Sequence, residues 1–204
     1  MRRGWKRKME TGKIKLVAAD MDGTLLNRDR KITQYTQNVI KKAMAQGVYF
    51  VPATGRAVNA LPPELKEMEG IRYGIFSNGA TIYDLKEEKV IYKNHFEMDR
   101  VLELMDFLKQ FDLMESISLN GQSYANKKEM ENIDYYELDS NTKAIVQGSR
   151  VLVDDLEMFV KEQSTTVEKT TLLFKTMEER RRAADALSKI EAVSYTHLRA
   201  HETL

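Results

Sequence analysis

The folded part of the sequence begins with a short apolar run and an amphipathic segment. Residues 14–19 are mostly apolar and lead into acidic and glycine residues, which is typical of a buried parallel strand that feeds a functional loop. Apolar positions then recur at helical spacing from Tyr35 to Met44. Thr33 is a candidate N-cap for this helix, and Gly47 is a candidate C-terminal stop. The pattern predicts a strand, a loop and a helix.

Two further strands continue this plan. Residues 48–51 and 73–76 are apolar, and a helix is predicted over about 57–68 between them, despite two adjacent prolines. The alternation of strands and helices predicts right-handed crossovers and a parallel sheet, as in a Rossmann-like α/β core over residues 13–83. In such sheets ligands bind at the carboxyl ends of the strands. The loops that follow the three strands are therefore the candidate site.

The pattern changes after Ala80 to that of a second, α+β module, predicted over residues 84–192. Two short strands, 81–83 and 90–92, flank a charged turn and predict a hairpin. Asn120-Gly121 between two more short strands is the strongest hairpin signal in the chain. The other predicted elements are a helix around 101–109, a strand at 171–174 and a helix over 177–190.

Composition removes several classes of chemistry. The 204 residues include no cysteine, which excludes a disulfide framework, a thiolate zinc site and a cysteine nucleophile. No apolar run approaches the roughly 20 residues that span a bilayer, and the N-terminus has no signal-peptide pattern. These features predict a cytoplasmic protein with no membrane partner.

Charge is balanced overall at +1 but concentrated at the N-terminus, where the first 13 residues hold six basic residues and one acidic residue. A basic arm can contact nucleic acid or an anionic membrane. The interpretation we favour is an upstream segment ahead of a true start at Met9, so that residues 1–12 form a disordered arm. No nucleic-acid partner is expected, and oligomeric state is not predicted.

Asp20 and Asp22 lie two residues apart, directly after the first predicted strand. Phosphoryl transfer needs a nucleophile, an acid for the leaving oxygen and a cation on the developing charge. An Asp-x-Asp turn can supply all three, with Gly23 allowing backbone amides near Met21 to point at a phosphate. The alternative is an ordinary turn, because aspartate and glycine favour turns for local reasons.

Two other loops are predicted at the same sheet edge. Thr54, Gly55 and Arg56 leave the second strand, and a threonine hydroxyl and glycine amide are neutral donors for a phosphoryl oxygen. Asn78 leaves the third strand, followed by Gly79. The alternatives are an ordinary βα turn for the first loop and an Asn-Gly turn feeding the hairpin for the second.

These three motifs together resemble the Cof-type branch of the haloacid dehalogenase-like hydrolases, a resemblance that covers about residues 14–190. It implies a Mg²⁺-dependent phosphatase in which Asp20 forms an aspartyl-phosphate and Asp22 acts as general acid and then general base. Asp20 and Asp22 would hold the Mg²⁺. The implied phosphate-binding residues are Met21, Thr54, Gly55, Arg56 and Asn78. The second module resembles the family's cap, which closes over sugar phosphates or similar small phosphorylated metabolites.

The chain departs from that family at its C-terminal end. A lysine and a second acidic loop that complete the family's site have no counterpart after Ala192, and Lys143, Lys169 and Lys175 are not assigned that lysine's role. Residues 193–204 resemble a translated sequencing adapter, and their two histidines are not expected to bind metal. The chain is expected to be an inactive fragment. The alternatives are a phosphotransferase or mutase of the same superfamily, or a non-catalytic phosphometabolite-binding fragment.

Overall fold

A computed structural model of the chain describes residues 14–27 and 29–190. The predicted basic arm (1–12) and the tail (193–204) lie outside the described residues. The described part contains two sheets, and no helix in it is long and apolar enough to cross a membrane. The structure is a mixed α/β fold, as the sequence predicts.

The described part of the chain contains nine strands and seven α-helices. The strands are β1 (Leu16–Asp20), β2 (Tyr49–Ala53), β3 (Tyr73–Phe76), β4 (Thr81–Asp84), β5 (Lys89–Lys93), β6 (Leu113–Leu119), β7 (Gln122–Asn126), β8 (Arg150–Val153) and β9 (Val167–Phe174). The helices are α1 (Gln34–Ala45), α2 (Pro63–Lys66), α3 (Met98–Leu108), α4 (Lys127–Glu131), α5 (Ser140–Ser149), α6 (Leu156–Lys161) and α7 (Met177–Leu187).

The first sheet has the order β1-β2-β3-β4-β5, and β1, β2 and β3 run parallel as predicted. Helix α1 begins where expected, because the Thr33 side chain accepts a hydrogen bond from the amide of Thr36. It ends before Gly47, whose φ of 81° is the left-handed conformation that glycine tolerates best. The interior of this sheet centres on Phe76 and Met21, both fully buried.

The predicted helix over 57–68 is wrong. The structure has a single 3₁₀ turn, Val58–Ala60, and then the four-residue helix α2. Leu61 and Pro62, the residues before the two prolines, have ψ values of 128° and 140°. A proline disfavours the helical conformation in the residue that precedes it, so the adjacent prolines divide the segment.

The predicted hairpin forms as β4 and β5, but it pairs with β3 in the first sheet. A boundary at residue 84 would divide this hairpin, so by hydrogen bonding the first sheet extends to Lys93. The prediction that the first strand is buried is also wrong. β1 lies at the edge of the sheet with β2 as its only neighbour among the described strands, and Leu16 is 56% exposed.

The second sheet has the order β8-β7-β6-β9. Asn120 and Gly121 join β6 to β7 with φ values of 49° and 73°, the conformation of the tight hairpin turn that the sequence predicts. Helices α3 and α6 pack on one face of the sheet around Ile117 and Val160. Strand β8 and helices α4 to α6 are not predicted from the sequence, and β8, α4 and α6 are only four to six residues long.

Candidate active site

Asp20 is the last residue of β1, and the chain turns sharply after it. Gly23 makes this turn possible with a φ of 84°. The side chain of Met21 is fully buried and anchors the turn, whereas the Asp20 carboxylate is exposed at the sheet edge. Thr24 Oγ1 donates to Asp20 Oδ2 over 3.4 Å. The loop therefore presents one free carboxylate at the carboxyl end of β1, as expected for a nucleophile.

The loop after β2 lies beside the first loop, because Asp20 is in register with Ala53. Thr54 is buried, and its hydroxyl accepts a hydrogen bond from the amide of Arg56 over 3.2 Å. The Thr54 carbonyl accepts one from the amide of Asn78, also over 3.2 Å. The structure thus brings together the three loops that the sequence selected.

The guanidinium of Arg56 contacts Asp22 instead of standing free. Its Nη2 donates to Asp22 Oδ1 over 2.6 Å, its Nε donates to Oδ2 over 3.0 Å, and its Nη1 donates to the carbonyl of Ala60 over 3.3 Å. This paired arrangement fixes the orientation of the Asp22 carboxylate. A role for Arg56 in binding phosphate stays a prediction, and its observed partner is the candidate acid.

Asn78 and Gly55 approach each other closely. A Cβ atom on residue 55 would lie 2.4 Å from Asn78 Oδ1, so only glycine fits there without displacing the asparagine. Ser77 and Asn78 both have left-handed backbones, with φ values of 52° and 59°. Asparagine adopts this conformation more readily than most residues. The third loop therefore has a constrained backbone that holds the Asn78 amide group beside the second loop.

Two residues of β9 that sequence reasoning did not select join the second module to these loops. Glu168 is buried, and its carboxylate accepts hydrogen bonds from Ser77 Oγ over 2.7 Å and from the amide of Gly121 over 2.6 Å. Lys169 Nζ donates to the carbonyl of Gly55 over 2.5 Å. The signal in the sequence was a pair of charged residues next to the apolar run of β9.

Burial, and then the nearby charge of Arg150, lower the pKa of Lys169 to about 8. A cavity of about 320 Å³ opens beside this lysine, between the third loop and helix α7. Its lining includes Asn78, Lys169 and Thr170. The space next to the third loop is therefore large enough for a small organic molecule.

The donors around Asp20 suit Mg²⁺. Among the described residues, no group of three or more histidine, aspartate or glutamate side chains could enclose a metal ion. Mg²⁺ does not need such a cage, because it is usually bound by one or two carboxylates, by water and by substrate phosphates. The exposed carboxylate of Asp20 and the main-chain carbonyl of Asp22 fit that pattern. The side chain of Asp22 is already engaged by Arg56.

The arrangement provides two of the groups that an in-line displacement at phosphorus uses. Among the described hydrogen bonds, the Asp20 carboxylate accepts one, from Thr24. Asp22 lies two residues away, and its carboxylate is oriented by Arg56. Thr54 and Asn78 lie on the two neighbouring loops and are joined by a main-chain hydrogen bond. This combination of a free nucleophile and an oriented acid is what phosphate-ester hydrolysis requires.

Comparison with known proteins agrees with this geometry. Residues 17–197 match the model of a family described as haloacid dehalogenase-like hydrolases. A 5-amino-6-(5-phospho-D-ribitylamino)uracil phosphatase of Bacillus subtilis is 36% identical over 89 residues, which are 42% of this chain and 36% of that protein.

Two solved structures show the same fold. A haloacid dehalogenase-like hydrolase of B. subtilis superposes with a TM-score of 0.72 at 20% identity, covering 89% of this chain and 69% of that one. A subclass IIB sugar phosphatase superposes with a TM-score of 0.63 at 21% identity, covering 85% and 64%.

The match to curated relatives is partial in length. The first three curated relatives are matched over 43%, 33% and 48% of their own length, so the chain spans less than half of each. The family model, in contrast, matches most of this chain. This protein therefore belongs to the haloacid dehalogenase-like hydrolase family.

Proposed function

We propose that this chain carries the nucleophile loop and the cap of a Mg²⁺-dependent phosphatase, which hydrolyses phosphate monoesters of small metabolites through an aspartyl-phosphate. The observation that carries the proposal is the relation of Asp20 to Asp22. The first carboxylate is exposed at the sheet edge, and the second is held by Arg56. A structural turn would not need one carboxylate free and its neighbour fixed.

The reaction divides into two displacements. In the first, Asp22 has taken up a proton on one oxygen in place of one of its two hydrogen bonds from Arg56. A carboxylate oxygen of Asp20 attacks phosphorus, the bond from phosphorus to the ester oxygen breaks, and Asp22 gives that proton to the ester oxygen. In the second, water attacks phosphorus, Asp22 takes a proton from the water, and the bond from phosphorus to Asp20 breaks. The products are an alcohol and inorganic phosphate, and both aspartates return to their starting states.

The other predicted site residues bind and orient the phosphoryl group. The Thr54 hydroxyl, the Asn78 side chain and the amides near Met21 and Gly55 are the proposed donors. Phosphatases of this superfamily generally use Mg²⁺, and here the ion would be held by Asp20 and the carbonyl of Asp22. When bound, Mg²⁺ stabilises the negative charge on the phosphoryl oxygens.

The proposed substrates are sugar phosphates or similar small phosphorylated metabolites. One relative is a phosphatase of a phosphoribitylamino compound, and one structural neighbour is a sugar phosphatase. The second module contacts the loops after β2 and β3 through Lys169 and Glu168. Closure of such a module over Asp20 would exclude bulk water from the reacting group. The cytoplasmic location remains a prediction from the sequence.

A second candidate is a chain that binds phosphorylated metabolites without turning them over. The described residues around Asp20 lack a third carboxylate for the metal, and the β1 edge is exposed. Both observations favour the expectation that residues 1–204 alone are inactive. A phosphotransferase of the same superfamily would use the same first step with an acceptor other than water.

The experiment measures phosphate release from a panel of sugar phosphates, with Mg²⁺ or with EDTA. It compares three proteins: residues 1–204, a chain extended to the length of the curated relatives, and the Asp20→Asn variant of the extended chain. We call the extended chain the full-length gene product. We expect Mg²⁺-dependent release by the full-length protein alone. Release that persists in Asp20→Asn would overturn the proposed function, and substrate binding without release by any of the proteins would favour the second candidate.

A further inference from the structure

Four polar residues form one row across the second sheet. Lys169 of β9 is in register with Ser118 of β6, Ser118 with Ser123 of β7, and Ser123 with Arg150 of β8. Residues in register on neighbouring strands point to the same face of a sheet. The hydroxyls of Ser118 and Ser123 confirm this, since they lie 2.8 Å apart. We call these four residues the polar row.

One end of the polar row contacts the loop after β2. Lys169 reaches the carbonyl of Gly55 over 2.5 Å. The opposite face of the same sheet is apolar, where Ile117 and Leu119 pack with Val101 and Val160 of helices α3 and α6. Met114 and Ala125 lie further along the row's own face and pack with Met130 and Val146, so the polar row occupies one end of that face.

The row carries two cations that form no ion pair with a carboxylate of the described residues. Among the described residues, neither Arg150 nor Lys169 forms an ion pair. Arg150 Nε is buried and has no hydrogen-bond partner in the described part of the chain, although Nη1 donates to Ser149 Oγ over 2.6 Å. The carboxylate nearest in sequence, that of Glu168, is occupied by Ser77 and Gly121.

An uncompensated cation is costly to bury, and two near each other cost more. Burial lowers the pKa of Arg150, and burial together with Arg150 lowers the pKa of Lys169 to about 8. Both shifts show that the folded protein disfavours these charges in the absence of an anion. A bound oxyanion would reverse that effect, because the guanidinium of an arginine matches the geometry of a carboxylate or phosphate.

We propose that Arg150, Lys169, Ser118 and Ser123 form a subsite for a second anionic group of the substrate, distant from the phosphoryl group that Asp20 accepts. The proposal rests on the proposed function for the position of that phosphoryl group. It specifies the substrate class as phosphate monoesters that also carry a carboxylate or a second phosphate. The serine hydroxyls supply neutral donors between the two cations.

The polar row spans the whole width of the second sheet. Strands β8 and β9 are the two edges of this sheet and lie three strand spacings apart, about 14 Å between backbones. The charge of Arg150 nevertheless acts on Lys169 across this width.

The test is a binding measurement by calorimetry on the full-length gene product in EDTA, with two probes that differ only at one end. Sorbitol 6-phosphate ends in a hydroxymethyl group and 6-phosphogluconate ends in a carboxylate. We expect 6-phosphogluconate to bind at least about tenfold more tightly, because charge-assisted hydrogen bonds are the strong ones. Fructose 1,6-bisphosphate against fructose 6-phosphate gives the same comparison for a second phosphate.

The variant Arg150→Gln should abolish most of this preference while leaving the affinity for sorbitol 6-phosphate within about twofold. Lys169→Met should abolish the preference as well. Matched controls are Arg182→Gln and Lys127→Met, which remove charges from exposed helical positions. Ser123→Ala, a smaller change, should reduce the preference partially. Circular dichroism verifies that each variant is folded, and Ser123→Ala provides the test if removing a cation unfolds the chain.

The outcomes separate the subsite from the proposed function. Equal affinity for the two six-carbon probes, or no binding of either, would overturn the subsite. If Lys169→Met weakened both probes equally, Lys169 would act on the transferred phosphoryl group and would not belong to the subsite. Hydrolysis of p-nitrophenyl phosphate, which has no second anion, tests the proposed function independently. A preference for 6-phosphogluconate without any hydrolysis would support the subsite and contradict catalysis.

Discussion

Arg56 holds Asp22 through two hydrogen bonds of 2.6 Å and 3.0 Å, although 34 residues separate them in the chain. The pair joins the loop after β1 to the loop after β2. It orients the candidate acid beside the candidate nucleophile, Asp20. This ion pair therefore fixes both the distance between the two loops and the orientation of the Asp22 carboxylate.

Replacing Arg56 by lysine should slow turnover without unfolding the protein. Lysine keeps the charge but cannot form the paired contact with Asp22. We expect kcat of the full-length gene product to fall about 10- to 100-fold, in line with the loss of a positioned catalytic group. Arg72→Lys is the matched control, since Arg72 pairs with Asp84 at the far end of β3. Equal rates for the two variants would contradict the positioning role.

Replacing Asp22 by alanine should affect poor leaving groups most. General acid catalysis contributes about 10²–10⁴-fold and matters in proportion to how much the leaving oxygen needs a proton. Sugar phosphates, which leave as alkoxides, should lose far more rate than p-nitrophenyl phosphate. Steady-state kinetics on both substrates checks this, and similar losses for both would indicate that Asp22 has only a structural role.

Replacing Glu168 by alanine should destabilise the junction between the two sheets. The change leaves Ser77 Oγ and the amide of Gly121 without their present acceptor in buried surroundings. Each unsatisfied buried group costs about 1–3 kcal/mol, so the free energy of unfolding should fall by roughly 2–4 kcal/mol. Urea denaturation measures this, with the exposed Glu162→Ala as control. A loss no larger than that of the control would show that the contact contributes nothing.

The stability of the chain should decrease as pH rises from about 4.5 to 7, through Glu115. Burial, together with the charges of Glu129 and Glu157, raises the pKa of this carboxyl from 4.5 to about 7. The folded state then binds a proton that the unfolded state has released, so stability falls across this window and levels off above it. The full effect is on the order of 3 kcal/mol.

The variant Glu115→Gln should remove this decrease and stabilise the protein at pH 7 and above. Thermal unfolding between pH 4.5 and 8 measures the effect, and Glu131→Gln, on an exposed position of α4, is the control. A pH profile of Glu115→Gln that follows the parent chain would assign the dependence to other groups.

The sequence predicts those parts of the site that depend on contiguous residues. The turn after Asp20, the loop at Thr54 and the hairpin at Asn120 each have local causes, such as glycine backbones and side-chain caps, and each forms as predicted. A strand that ends in such a turn places its next residues at the sheet edge. The three loops therefore meet because each follows one of three parallel strands, and the carboxyl ends of these strands lie at the same edge of the sheet.

Contacts between distant elements could not be predicted in the same way. Ser77 and Glu168 are 91 residues apart, and their hydrogen bond depends on how the second sheet packs over the first. An apolar pattern indicates that a face is buried but does not show which other element covers it. For the same reason the pattern of β1 did not show that this strand lies at an edge, where Leu16 is exposed.

The measurement that tests the account most directly is capture of the phosphoryl group on Asp20. The full-length gene product is quenched during turnover of its best substrate and treated with sodium borohydride, which reduces an acyl phosphate to an alcohol. We predict that mass spectrometry of the peptide spanning β1 will find homoserine at position 20, and none in the unreacted protein or in Asp20→Asn. Continuous hydrolysis with an unmodified Asp20, or with homoserine at another aspartate, would contradict the assignment of Asp20 as the nucleophile.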